Sequence, residues 1–158
     1  MKSVRPAGYL GKERRVTSQS RSMLPLPTPE AEPEACESVT VLVCSSCRRE
    51  GDPEGQPRPG SALADDMRRA AEGSAVTVRQ VACLGNCKRG LSAAIFRAGC
   101  WTYVFGGLGT ASGDDLLAGA RLFAEAEDGF MPFRARPEAL KRGLIARIPP
   151  VDLLKDLP

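Results

Sequence analysis

Two cysteine pairs, Cys44-x2-Cys47 and Cys83-x3-Cys87, each stand where an apolar run gives way to turn formers, and 35 residues separate them. No other feature constrains the fold as tightly. Val39 to Val43 is β-branched and ends at Cys44, and Ala75 to Val81 is a second such run just ahead of Cys83. Both read as strands. Residues 50–60 are built from Gly, Pro, Asp and Glu and read as a loop. Ser61 then caps a helix whose Leu63, Met67, Ala70 and Ala71 share one stripe, with Asp65 and Asp66 near its start and Arg68 and Arg69 near its end. Gly73 stops it. A strand, a crossover helix and a second strand make the two strands parallel. Their C-terminal ends then lie side by side, and the two cysteine pairs arrive at one end of one sheet.

Leu91 to Arg97 and Trp101 to Phe105 form a hairpin across Ala98-Gly99-Cys100, with Trp101, Tyr103 and Phe105 on a common face. Ser112 or Asp114 opens a second helix carrying Leu116, Leu117, Ala120, Phe123 and Ala124, and Gly129 ends it. The predicted class is α/β and thioredoxin-like: a small mixed sheet in the order strand-helix-strand-strand-strand-helix with a Pro-punctuated C-terminal tail. That tail holds a short helix near Pro137–Arg142 and enough apolar residues, among them Leu140, Leu144, Ile145 and Ile148, to wrap the domain. The domain division is 1–36 as a disordered extension, 37–130 as the metal-binding domain and 131–158 as the wrapping tail.

The chain contains no histidine among its 158 residues, so Ser-His and Cys-His catalysis and every imidazole-ligated metal site are excluded. There is also no Gly-rich phosphate loop and no G-x-S-x-G, so hydrolase and transferase chemistry has no anchor. Six cysteines remain to carry function. The donor set Cys44, Cys47, Cys83 and Cys87 selects zinc or an iron–sulfur cluster. Zinc favours two similar C-x2-C knuckles. A binuclear [2Fe-2S] cluster is wider and tolerates the unequal pairs found here. The expected function is therefore a small ferredoxin carrying single electrons, not an enzyme. The alternatives are a structural zinc module and a thiol–disulfide oxidoreductase using Cys44-Ser-Ser-Cys47. Arg48, Arg49, Lys88 and Arg89 directly follow the pairs and are the candidate cofactor-binding cations, raising the potential or steering an acidic redox partner. Cys36 and Cys100 read as free surface thiols. The aromatic residues read as core, not as a stacking platform for bases.

The strand-terminal pair, the gap and Cys83-x3-Cys87 resemble the thioredoxin-like [2Fe-2S] ferredoxins, including the small ferredoxin-like subunit of respiratory NADH dehydrogenase. The first pair of that group is wider, which leaves open whether Cys44 or Cys100 is the fourth ligand. Val-Cys-Ser-Ser-Cys-Arg-Arg (43–49), Cys-Leu-Gly-Asn-Cys-Lys-Arg-Gly (83–90), Trp-Thr-Tyr-Val-Phe-Gly (101–106) and residues 136–150 resemble the DUF1636 family of predicted metal-binding bacterial proteins. That resemblance implies a metal site and an association with cobalamin-related functions.

Charge separates the tail from the body. Residues 1–30 hold six basic and two acidic side chains, whereas residues 31–158 are close to neutral with 16 basic and 17 acidic. A nucleic-acid binder carries its charge on the folded domain, so that partner class is not expected. Residues 1–35 lack the apolar content to fold and have no secretory h-region; translation from Met23 is an alternative start. No run approaches the length of a membrane span. Four reduced thiols point to the cytoplasm.

Overall fold

The computed structural model describes residues 38–52 and 54–150. The elements in chain order are β1 (Thr40–Cys44), α1 (Pro59–Ala70), β2 (Thr77–Val81), a 3-10 turn (Cys87–Arg89), β3 (Ala93–Phe96), β4 (Thr102–Phe105), α2 (Gly113–Ala124), α3 (Glu138–Arg142) and β5 (Leu144–Ile148). They build one five-stranded sheet in the order β2-β1-β3-β4-β5. β1 and β2 run parallel, with Cys44 opposite Val81. β3 is antiparallel to both β1 and β4. The first four strands thus have the thioredoxin-like order, and the α/β class read from the sequence holds.

Alternation along the strands sets the two faces. Val41, Val43, Ile95, Tyr103 and Phe105 are fully buried and form one core with Leu63 and Met67 of α1 and Leu116 and Phe123 of α2. Leu140 of α3 is fully buried in the same core. It lies against Gly119, where an added Cβ would come 2.3 Å from the Leu140 Cδ1. All three helices therefore lie on that face. Leu42, Val104 and Ala146 stand on the other, half-buried.

Three local readings change. Helix α1 starts at Pro59, not Ser61. Proline is suited to the first helical position because its fixed φ is helical and its missing N–H is needed by no partner there. The Ser61 hydroxyl instead donates to the Ser45 carbonyl at 3.3 Å. With the start moved forward, Asp65 and Asp66 leave the first turn, which holds no acid. They pair with Arg68 and Arg69 one turn on. Helix α2 ends at Ala124, which is exposed, and Gly129 sits beyond it with φ +68° in the turn that follows. Finally, the stretch read only as a wrapping tail contributes β5, an edge strand antiparallel to β4 with a register irregularity at Val104/Phe105. Among the described residues no helix is long and apolar enough to cross a membrane.

Candidate metal centre

The C-terminal ends of β1 and β2 carry the two cysteine pairs to the same end of the sheet. The loop after β1 is tied to the loop after β2 by backbone bonds: Ser45 N–H donates to the Val81 carbonyl at 2.8 Å and Ser46 N–H to the Ala82 carbonyl at 3.2 Å. The hydroxyls of Ser45 and Ser46 donate to the same two carbonyls. From the other side, α1 presses on this loop through Gly60. Its N–H donates to the Cys47 carbonyl at 2.9 Å, and an added Cβ would come 2.3 Å from the Cys44 carbonyl oxygen. Cys44 and Cys47 are buried by this arrangement, whereas Cys83 and Cys87 are exposed on the loop that leaves β2. That loop is fastened by Asn86, whose side-chain amide donates to the Ser92 hydroxyl at 3.0 Å. It is also fastened by Gly90, where an added Cβ would meet the Arg48 carbonyl oxygen at 2.7 Å.

The buried pair is electrostatically unequal. Burial pushes the Cys44 thiol up, but hydrogen bonds from Cys47, the Leu84 backbone and Ser46 outweigh it and hold Cys44 below its ordinary value. Cys47 is pushed up to about 11, by burial first and then by its neighbour Cys44. Of the two thiols, Cys44 therefore gives up its proton more readily and Cys47 less. The Cys44 thiol donates to the Ala82 carbonyl at 3.6 Å. In the exposed pair, Gly85 N–H donates to the Cys83 Sγ at 3.2 Å, a backbone donor aimed at sulfur. Cys47 and Cys87 line one cavity of about 410 Å³ together with Ser46, Arg48 and Arg58.

A family model for a protein of unknown function, DUF1636, matches residues 41–150, from β1 to the residues just past β5. The chain belongs to the DUF1636 family. Among solved structures it is similar to a thioredoxin-like [2Fe-2S] ferredoxin from Aquifex aeolicus, at 17% identity and a TM-score of 0.46, over 73% of this chain and 97% of that one. No curated protein matches the sequence.

In this DUF1636 domain the donor types suit a thiolate-held metal: both cysteine pairs follow the C-terminal ends of neighbouring parallel strands, in a chain without histidine. As the side chains stand, no group of three or more cysteine or acidic residues among the described ones is gathered within reach of one metal ion. The structure brings Cys44 to Cys47, and Cys47 to the cavity of Cys87, but does not close a four-sulfur shell. Cys100 is at the hairpin tip beyond Phe96, which pairs with Thr40 at the far end of β1 from Cys44. There its Sγ accepts from Arg97 Nε at 3.2 Å. It is therefore remote from the other pairs. Cys36 lies outside the described residues.

The four flanking cations are less free than their sequence position suggests. Arg48 pairs with Glu54 at 3.2 Å. Arg49 donates to the Leu108 carbonyl, and Arg89 to the Arg142 carbonyl at 3.1 Å, so both guanidiniums tie the loops to the body of the domain. Lys88 is exposed and makes no ion pair among the described residues. Sequence reasoning missed Arg58, which lines the cavity and donates to the Ser46 carbonyl at 3.1 Å. It sits in a Pro-rich loop with no periodicity to mark it.

Proposed function

We propose that the chain is a metal protein holding one [2Fe-2S] cluster on Cys44, Cys47, Cys83 and Cys87, and that it carries single electrons to a partner protein without bond chemistry of its own. The observation that supports this is the delivery of both pairs to one sheet end, with Cys47 and Cys87 on a common cavity. Bound there, the cluster would supply a one-electron couple. The chain's own residues divide the work. Strand β1 and Gly60 hold Cys44 and Cys47 as a fixed, buried floor. The environment of Cys44 favours the thiolate that ligation requires. Cys83 and Cys87, on an exposed loop containing Gly85, are the pair that moves to complete the shell. Their exposure would leave one edge of the centre within reach of a redox partner. Lys88 is the cation free to act on the centre's charge or on that partner.

A second reading is favoured by the two buried thiols of Cys44-Ser-Ser-Cys47 and by their unequal hold on protons, Cys44 lowered and Cys47 raised, the arrangement of a redox C-x-x-C. Zinc would use the same four sulfurs. One anaerobic purification from iron-supplemented cells, with a visible spectrum and elemental analysis, separates the three. Iron and sulfide with visible absorption are expected. Bound zinc in a colourless protein would overturn the electron-carrier role. A metal-free protein with a reversible Cys44–Cys47 disulfide would give the case to thiol exchange. Cys83→Ser and Cys87→Ser are each expected to lose the metal, and Cys100→Ser to keep it.

A further inference from the structure

At the β4–β5 edge, away from the two cysteine pairs, two arginines lie against aromatic rings with no carboxylate among the described residues to neutralise them. Arg136 is only 6% exposed, and its guanidinium lies 5.0 Å from the Tyr103 ring centroid and 5.6 Å from that of Phe133. One of its nitrogens donates to the Met131 carbonyl, but the buried Nε has no partner. Arg147 of β5 is exposed and lies 5.4 Å from the Trp101 ring and 5.6 Å from the Phe130 ring. Neither arginine has an ion-pair partner among the described residues. Beside them Phe130 is 37% exposed and Phe133 61% exposed, two of the three large apolar side chains that the described surface leaves open.

A domain that buries a cation without its counter-ion gives up stability that a bound carboxylate would restore. The Arg147 guanidinium lies over the Trp101 and Phe130 rings and donates to no group among the described residues, so its fork of donors is open to receive a carboxylate in two parallel bonds. Tryptophan, tyrosine and arginine packed together are also the residues that dominate protein interfaces. We propose that Trp101, Phe130, Phe133, Arg136 and Arg147 form a docking surface for an acidic segment of a partner protein, with carboxylates on the arginines and apolar side chains against the two phenylalanines. Charge complementarity selects this occupant. A nucleic acid would need a broad basic face, and β5 and the residues around it offer isolated arginines among apolar rings.

Trp101 is the only tryptophan of the chain, so its fluorescence reports on this surface alone. The experiment titrates the full chain with poly-L-glutamate at low and high salt and follows Trp101 emission. A saturable change that weakens with salt is expected. Arg147→Glu should weaken the apparent affinity by roughly tenfold or more, as loss of an interface anchor does. Phe133→Ser, at a position too exposed to disturb folding, should weaken it as well. The surface assignment is overturned if polyglutamate leaves Trp101 unchanged, or if both variants respond as the parent does. A stronger response to single-stranded DNA than to polyglutamate would replace the acidic protein partner with a nucleic acid. If deletion of residues 151–158 alone reproduces the emission change in reverse and raises polyglutamate affinity, the chain's own C-terminal segment occupies the surface and the partner assignment falls.

Discussion

At Gly60 one missing methyl group decides how the buried cysteines are held. An added Cβ would come 2.3 Å from the Cys44 oxygen, 2.9 Å from the Ser45 oxygen and 3.0 Å from the Cys47 nitrogen. All three are backbone atoms of the ligand loop, so no side-chain rotation relieves the contact. Gly60→Ala is therefore expected to destabilise the domain by about 1–3 kcal/mol, the usual cost of overpacking, and to lower metal content. Urea denaturation with elemental analysis measures both. Gly55→Ala, where nothing lies within 4 Å of the added atom, should stay within about 0.5 kcal/mol of the parent. Equal effects of the two substitutions would remove Gly60 from the site. Lys88 is the other informative residue. If the centre is redox-active, Lys88→Glu replaces a favourable charge by an unfavourable one, so the reduced form loses more than the oxidised form. The midpoint potential should fall by less than the ~59 mV that a tenfold change in a one-electron equilibrium represents, because water and salt screen an exposed charge. A potentiometric titration at two ionic strengths reads the shift. Arg49→Gln and Arg89→Gln should act instead on loop stability, since their guanidiniums are held by carbonyls.

Among the elements, α1 and α2 are joined by one carboxylate. Asp66 Oδ2 accepts from the Gly113 N–H at 2.7 Å, so a residue of α1 caps the start of α2. The Ser112 hydroxyl does not cap α2; it accepts from the Gly109 N–H at 3.0 Å. Asp66→Ala is expected to cost about 0.5–2 kcal/mol, the range of a lost helix cap, and Asp65→Ala, which loses only an exposed pair with Arg68, well under that. Chemical denaturation of the two variants side by side checks the difference. This cap marks the limit of what the sequence could disclose. The strands that lead to Cys44 and Cys83, the crossover helix and the hairpin were legible because each is encoded by a local period or a turn signal. Asp66 was read as a partner of its own helix because its true partner is 47 residues away. β5 escaped for a similar reason. Leu-Ile-Ala-Arg-Ile lies between Gly143 and Pro149-Pro150 in a Pro-rich stretch, and only pairing with β4 makes it a strand. At the site, sequence delivered both pairs to one sheet end. It could not disclose that one pair is buried and the other exposed, since that depends on how Gly60 packs.

At the scale of the whole molecule, the core seen among the described residues starts at Val39, just ahead of β1, and takes in Leu140 and Leu144 near its other end. Val39 is already buried, and Thr77 N–H donates to its carbonyl at 2.9 Å, so the first parallel pairing begins there. From the other end, Leu140 is fully buried against α2, and β5 closes the β4 side of the sheet. Leu140→Ala should therefore cost about 2–5 kcal/mol, as for other buried leucines, although it lies in the Pro-punctuated region. Residues 1–35, by contrast, mix Ser, Arg, Pro and Glu with few apolar side chains. Such a segment has little apolar surface with which to offset the entropy of ordering. A chain beginning at Cys36 is expected to keep the urea midpoint, the cooperativity and the metal content of the full protein. Because residues 1–30 carry six basic and two acidic side chains, the shortened chain should also bind a cation exchanger less tightly at low salt. Measured together, the two properties separate the roles. A lowered midpoint would make the N-terminal segment part of the fold. An unchanged midpoint with a lost metal would mean that this segment, not the sheet end alone, completes the centre.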